Sequence, residues 1–170
     1  MQRLYFVRHG LSVLNVKGLF AGQTETPLTD EGRLQAKQAG EYAKTLHIDY
    51  IMSSPLSRAL DTAKIIAIEI GFAPENIDVN TLVIERGFGE LEGKPWAPDL
   101  NIDGFADIET HDSLLERAKL TLEHLQTVSA ANILIVSHSG FGRAMRYTLN
   151  PSVPFRVPPR LNKAEVIQLI

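Results

Sequence analysis

Two histidines carry the strongest chemical signal in this chain. His9 follows the run Leu4-Tyr5-Phe6-Val7-Arg8, and His138 follows Ile133-Leu134-Ile135-Val136-Ser137. Each run is short, apolar and β-prone, as a strand buried on both faces of a parallel sheet should be. Ligands of open α/β sheets bind beyond the carboxyl ends of the strands, so parallel neighbours would bring both imidazoles to one crevice. Arg8 stands directly beside His9. An arginine is costly to bury without an anion, and its planar fork of donors matches a phosphate. The pair therefore points to an anion site with a nucleophile or acid–base group inside it.

Three more side chains fit that chemistry. Arg58 follows Ser54-Pro55, a helix-start signal, and a helix N-terminus with an arginine attracts anions. Glu85 precedes Arg86-Gly87-Phe88-Gly89 at the end of the apolar run Thr81–Ile84, where a carboxyl can serve as general acid. Asn15 and Gln23, in the loop after His9, can hydrogen-bond a ligand. Other motifs fail. There is no Walker loop, Gly93 is misplaced for a dinucleotide fingerprint, and Ser137 and Phe141 stand where a nucleophile elbow needs glycines.

These residues need a frame to hold them. The 170 residues suit one domain with a full core, read as a single unit 1–170 with a small cap segment around 86–112. Apolar runs at 4–7, 50–52, 81–84, 133–136 and 164–170 read as strands. Helical spacing runs from Thr29, as N-cap, to Leu46, with Leu34, Ala39, Tyr42, Ala43 and Leu46 facing inward. A second helix is capped by Ser54 with Pro55 in its first turn, a third opens at Ser113, and a fourth spans about Gly142 to Leu149. Pro151 to Pro159 reads as a proline-rich connection. Strands alternating with helices predict an α/β fold.

Net charge is −3 and cysteine is absent. The balance predicts no nucleic-acid partner and no membrane partner, and any phosphate site must be built locally from placed arginines. Absent cysteine rules out disulfides and thiolate chemistry and fits a cytoplasmic protein. The N-terminal apolar run is too short for a signal sequence. No carboxylate or histidine cluster has metal-ligand spacing, so no metal and no cofactor are expected. Nothing in the chain sets an oligomeric state.

Five blocks resemble one family. They are Arg8-His9-Gly10 with Asn15, Gly22 to Gly32, Ser53-Ser54-Pro55-Leu56-Ser57-Arg58-Ala59 with Thr62-Ala63, Glu85 to Gly93, and Val136 to Gly140 with Arg143. In this order they resemble the histidine phosphatase superfamily, in its phosphoglycerate-mutase-like branch. The resemblance implies a three-layer α/β/α sandwich with a mostly parallel central sheet. It implies that His9 becomes a phosphohistidine, that Arg8, Arg58 and His138 bind the transferring phosphoryl group, and that Glu85 protonates the leaving group. Asn15 and Gly22 would line the phosphate pocket, with Gln23 and Ser139 as further substrate-binding candidates. Leu11, Ser139 and His111-Asp112-Ser113 depart from the family pattern without removing a catalytic group.

The expected function is a metal-independent phosphomonoesterase acting on a small-molecule phosphate monoester. The alternatives are a cofactor-dependent phosphoglycerate mutase and a catalytically silent phospho-ligand or protein-binding domain. Hydrolysis is preferred over mutase chemistry because 95–116 contains no lysine or arginine. That stretch instead holds Asp99, Asp103, Asp107, Glu109 and Asp112, and Phe88 replaces a tyrosine that such mutases use. An acidic cap would repel a strongly anionic substrate body, unless Arg156, Arg160 or Lys163 folds back to supply charge.

Overall fold

Why the two histidines meet is a matter of strand order. In this computed structural model, which describes residues 2–97, 99–155 and 161–170, five strands form one sheet. They are β1 (Arg3–Arg8), β2 (Tyr50–Ser53), β3 (Asp78–Val79), β4 (Asn132–Ser137) and β5 (Val166–Gln168), in the order β3-β2-β4-β1-β5. All neighbours are parallel except β5, which runs antiparallel to β1. The register pairs Arg8 with Ser137, so His9 and His138 each stand one residue past the same sheet edge. The His9 N–H still donates to the Ser137 carbonyl (2.9 Å), which fixes their relative height.

The alternation of side chains along β1 makes the layers. Leu4 and Phe6 pack with Leu114, Ala118, Phe141 and Met145 from α4 (His111–Gln126) and α5 (Ser139–Leu149). Tyr5 and Val7 point the other way, onto Ala39, Ala43, Ala63 and Ile66 from α2 (Asp30–Ala43) and α3 (Ser57–Ile70). Period-two alternation with apolar residues on both faces requires cover on both faces. The result is the expected three-layer α/β/α sandwich. A short helix α1 (Val13–Val16) lies in the loop after β1. The segment after Glu85 is irregular, with single turns at Gly89–Leu91 and Ile102–Gly104. Its apolar cluster joins Leu91 and Ile108 to Phe20. Among the described residues no helix is long and apolar enough to cross a membrane.

Several expectations are corrected. Thr81–Val83 is a tight turn rather than a strand, because the Asn80 side chain accepts from Leu82 N–H (3.0 Å) and curls the chain. The strand lies earlier, at Asp78–Val79. On α2, Leu34 and Tyr42 are each 57% exposed, and the inner stripe is Gly32, Ala36, Ala39, Gly40 and Ala43. At Gly40 the backbone comes so close to Ile66 and Glu69 of α3 that a Cβ has no room. Close helix packing selects small residues over large apolar ones. Ser54 does not cap α3; its N-cap is Leu56. Thr110, not a residue beside Ser113, caps α4 by accepting from Ser113 N–H (3.1 Å). Helix α5 opens at Ser139, immediately after His138, and the last strand is only Val166–Gln168. Of the proline-rich connection, 156–160 lies outside the described residues.

Candidate active site

A cleft of about 320 Å³ opens at the carboxyl ends of β1 and β4. Arg8, His9, Asn15, Gly22, Arg58, Glu85 and Ser139 all line it, as expected from the sequence. His138 is fully buried beneath, its ring 5.1 Å from that of His9 and inclined at 61°.

The hydrogen bonds of His9 assign its tautomer. Its Nδ1 lies 2.7 Å from the Gly10 carbonyl, which can only accept, so Nδ1 carries the hydrogen. Its Nε2 then presents a lone pair, which accepts from Arg58 Nε at 3.3 Å. Burial, Arg58 and Arg8 together hold the His9 pKa well below the usual imidazole value. The ring is therefore neutral, with its unprotonated Nε2 facing Arg58.

Arg58 sits in the first turn of α3 and is 1% exposed. Besides His9 it donates to the carbonyls of Gly22 (2.6 Å) and Thr24 (2.9 Å). Gly22 has φ +49°, a left-handed conformation, and a Cβ there would collide with Glu92. Glu92 secures this loop from the other side. Its carboxylate accepts from Gln23 N–H (3.0 Å), Thr24 Oγ1 (2.6 Å) and Phe88 N–H (3.0 Å). Gln23 itself does not line the cleft. Its Nε2 donates to the Glu85 carbonyl (3.0 Å), so it braces the Glu85 segment.

Glu85 is held by three backbone N–H groups, those of Arg86 (2.8 Å), Phe141 (3.0 Å) and Gly140 (3.1 Å). The last two belong to the first turn of α5, where a carboxylate suits the helix dipole. A Cβ on residue 140 would strike Glu85 Oε1, so glycine is required there. Arg86 Nε donates to the Glu109 carbonyl (2.8 Å).

His138 is positioned by Ser54, whose Oγ lies 2.8 Å from Nε2. Ser54 Oγ already accepts from Leu56 N–H (3.3 Å), so its hydroxyl hydrogen is available to Nε2. His138 Nδ1 is buried without a hydrogen-bond partner among the described residues. Burial and Arg58 hold this pKa, too, well below the usual value.

Residues beyond the expected site set also reach the cleft, including Lys163, one of the three considered able to fold back and supply charge. Arg143 and Lys163 line it, with Leu19, Phe20, Phe88 and Trp96. Arg143 lies one helical turn after Ser139, a spacing that puts both on one face. Lys163 has no local signal, because its place depends on pairing with Arg8 across the sheet. The described acidic side chains of 95–112 do not line the cleft. Asp107 accepts from Glu90 N–H (2.7 Å), and Glu109 pairs with Arg117 (2.7 Å). These two charges serve loop closure, whereas Asp99 and Asp112 are exposed. Arg156, Arg160 and the Asp103 side chain lie outside those residues. Among the described residues no group of three or more His, Asp or Glu is arranged to hold a metal ion.

Residues 4–166 match the histidine phosphatase superfamily (branch 1). The chain belongs to that superfamily. This histidine phosphatase is 32% identical over 157 residues to an acid phosphatase of Mycobacterium tuberculosis, covering 84% of this chain and 73% of the relative. It is 40% identical over 92 residues to a 2,3-bisphosphoglycerate-dependent phosphoglycerate mutase of Parvibaculum lavamentivorans, 53% of this chain and 44% of the relative. Its fold is similar to the crystal structure of a phosphoserine phosphatase from Entamoeba histolytica, with TM-score 0.79 and 25% identity over 99% of this chain and 90% of that one.

Two buried neutral histidines link stability to pH. Both His9 and His138 have folded-state pKa values depressed below the unfolded value of 6.5. As pH falls below 6.5 the unfolded chain gains protons that the folded chain refuses. Stability therefore declines toward acid, by up to about 1.4 kcal/mol per pH unit for each histidine, and is unaffected by them above 6.5. Urea denaturation between pH 7.5 and 5 should show this decline, with a smaller slope in His138→Asn. A stability that stays flat over that range in the parent protein would contradict the assignment of neutral buried rings.

Proposed function

We propose that this histidine phosphatase hydrolyses a small phosphorylated metabolite through a phosphohistidine at His9. The observation that carries this reading is the lone pair on His9 Nε2, fixed by Gly10 behind and Arg58 in front. Nε2 attacks the phosphorus, and the bond from phosphorus to the ester oxygen breaks. Glu85, carrying a proton, gives it to the leaving oxygen, and the alcohol departs. Glu85 then takes a proton from water as that water attacks the phosphohistidine. The P–N bond breaks, its electron pair returns to Nε2, and inorganic phosphate leaves.

Phosphoryl transfer loads charge onto three equatorial oxygens, and catalysis is mainly positioning and charge stabilisation. Arg8 and Arg58 are the donors for those oxygens, with His138 supporting them from directly beneath the cleft, and Asn15, Gly22 and Ser139 shape the pocket wall. None of these steps needs a metal or a cofactor. Water must reach the phosphoenzyme for hydrolysis, and the cleft over His9 is open to solvent beside a short cap segment, 86–112. That access favours release of phosphate over its return to a second substrate position, as a mutase requires.

The test is a series of phosphate monoesters of graded leaving-group acidity, assayed with EDTA present. The parent protein should turn over the whole series. Glu85→Gln should lose about 10²-fold or more on alkyl esters and far less on nitrophenyl esters, since a good leaving group needs no proton. Equal loss across the series would leave Glu85 as a clamp on α5 and nothing more.

A further inference from the structure

The cleft holds more positive charge than one phosphoryl group requires. Arg8, Arg58, Arg143 and Lys163 line it, and among the described residues Glu85 is the only acid that does. The order of influence on His9 separates these cations. Arg58 acts on it most, Arg8 next and Lys163 least, and Lys163 has no part in the environment of His138. Lys163 lines the cleft from the side of Arg8, and Arg8 and Arg58 are the cations that act most on His9.

Its placement is built into the backbone. Residue 163 pairs with Arg8, and Ala164 N–H donates to the Arg8 carbonyl (2.7 Å). Ala164 holds φ +51°, a left-handed conformation that costs energy for a residue with a Cβ. Strain of this kind persists where surrounding contacts enforce a geometry. The Lys163 ammonium has no carboxylate at ion-pair distance among the described residues; Glu31 exerts only a distant pull. It is partly buried beside Arg8, and both effects weaken its hold on the proton. Like charges brought together out of water are stabilised by an anion between or beside them.

We propose that Lys163 reads a second negatively charged group on the substrate, a carboxylate or a further phosphate, so that the substrate class is dianionic or higher at two separate positions. This rests on the phosphomonoesterase reading above and adds the character of the leaving group to it. Arg143, which lines the same cleft, reinforces the selection for an anionic body. The acidic segment does not oppose this, because its described acidic side chains do not line the cleft.

The experiment compares two esters with the same three-carbon chain. One is 3-phosphoglycerate, which carries a carboxylate, and the other is glycerol 3-phosphate, which has a hydroxymethyl group there. Released inorganic phosphate is the readout, so isomerisation is not counted. The parent protein should favour 3-phosphoglycerate by roughly tenfold or more in kcat/KM. Lys163→Gln should erase most of that preference through KM, and Lys163→Arg should keep it. Equal loss on both esters in Lys163→Gln would assign the lysine to the transferring phosphoryl group or to the fold and overturn the proposal. So would a parent protein without preference. Failure of the underlying reading looks different: no phosphate released from either ester or from p-nitrophenyl phosphate.

Discussion

His9→Ala should lower hydrolysis by at least about 10⁴-fold and abolish covalent labelling by substrate phosphate. The size of the effect follows from the absence of any substitute nucleophile at the right place. His138 is the other imidazole nearby, but it does not line the cleft and its Nε2 is occupied by Ser54. His9, by contrast, lines the cleft and has its Nε2 lone pair facing Arg58. The parent protein, quenched in base during turnover, should carry acid-labile phosphate that maps to the peptide containing His9. The variant should fold, because the lost side chain gives up only its hydrogen bonds to Gly10 and Arg58 and an edge contact with the His138 ring, and alanine leaves no new charge behind. His138→Asn should slow turnover yet retain label on His9. Full turnover or a label elsewhere in His9→Ala would end the phosphohistidine mechanism.

What is legible in the sequence is what local chemistry writes into it. A buried parallel strand is an uninterrupted apolar run, and it stops at the first residues that must face a ligand. Both histidines follow that rule, which is why Leu4–Val7 and Ile133–Val136 reveal them. Thr29 is legible for a similar reason: its side chain accepts from Gly32 N–H (3.0 Å) within one turn. Contacts between distant segments are not. Glu92 braces Gln23 and Thr24 across almost seventy residues, and nothing near Glu92 in the chain announces it. Lys163 depends on register with Arg8. Hydrophobicity marks Leu34 and Tyr42 of α2 as core, while the close approach to α3 admits only alanine and glycine on the inner face. A sound local rule makes Ser54 a helix cap, yet its hydroxyl serves His138, eighty-four positions away.

Arg58→Lys should cost nearly as much activity as removing the charge, about 10²- to 10³-fold in kcat/KM. The reason is geometric. A guanidinium offers five donors in a fixed plane, and Arg58 directs three nitrogens at three separate acceptors: His9 Nε2, the Thr24 carbonyl and the Gly22 carbonyl. A lysine ammonium is a single point and cannot span them. At least one buried carbonyl would lose its donor, at a cost of about 1–3 kcal/mol in stability. The loop 22–24 would then rest on Glu92 and on the Gln23 bond to the Glu85 carbonyl, and the phosphate wall that Gly22 forms would loosen. Charge and geometry separate in the pH profile. Arg58 is one of the cations that keep His9 neutral. Arg58→Lys retains a positive charge, so the acid limb of kcat/KM should stay where it is. Arg58→Met removes the charge, so the His9 pKa should rise toward its usual value and the acid limb should move to higher pH with it. A lysine variant with half the parent activity would show that charge alone suffices and that the guanidinium fork adds nothing to it. An acid limb that fails to move in Arg58→Met would remove Arg58 from the set of groups that keep the nucleophile unprotonated.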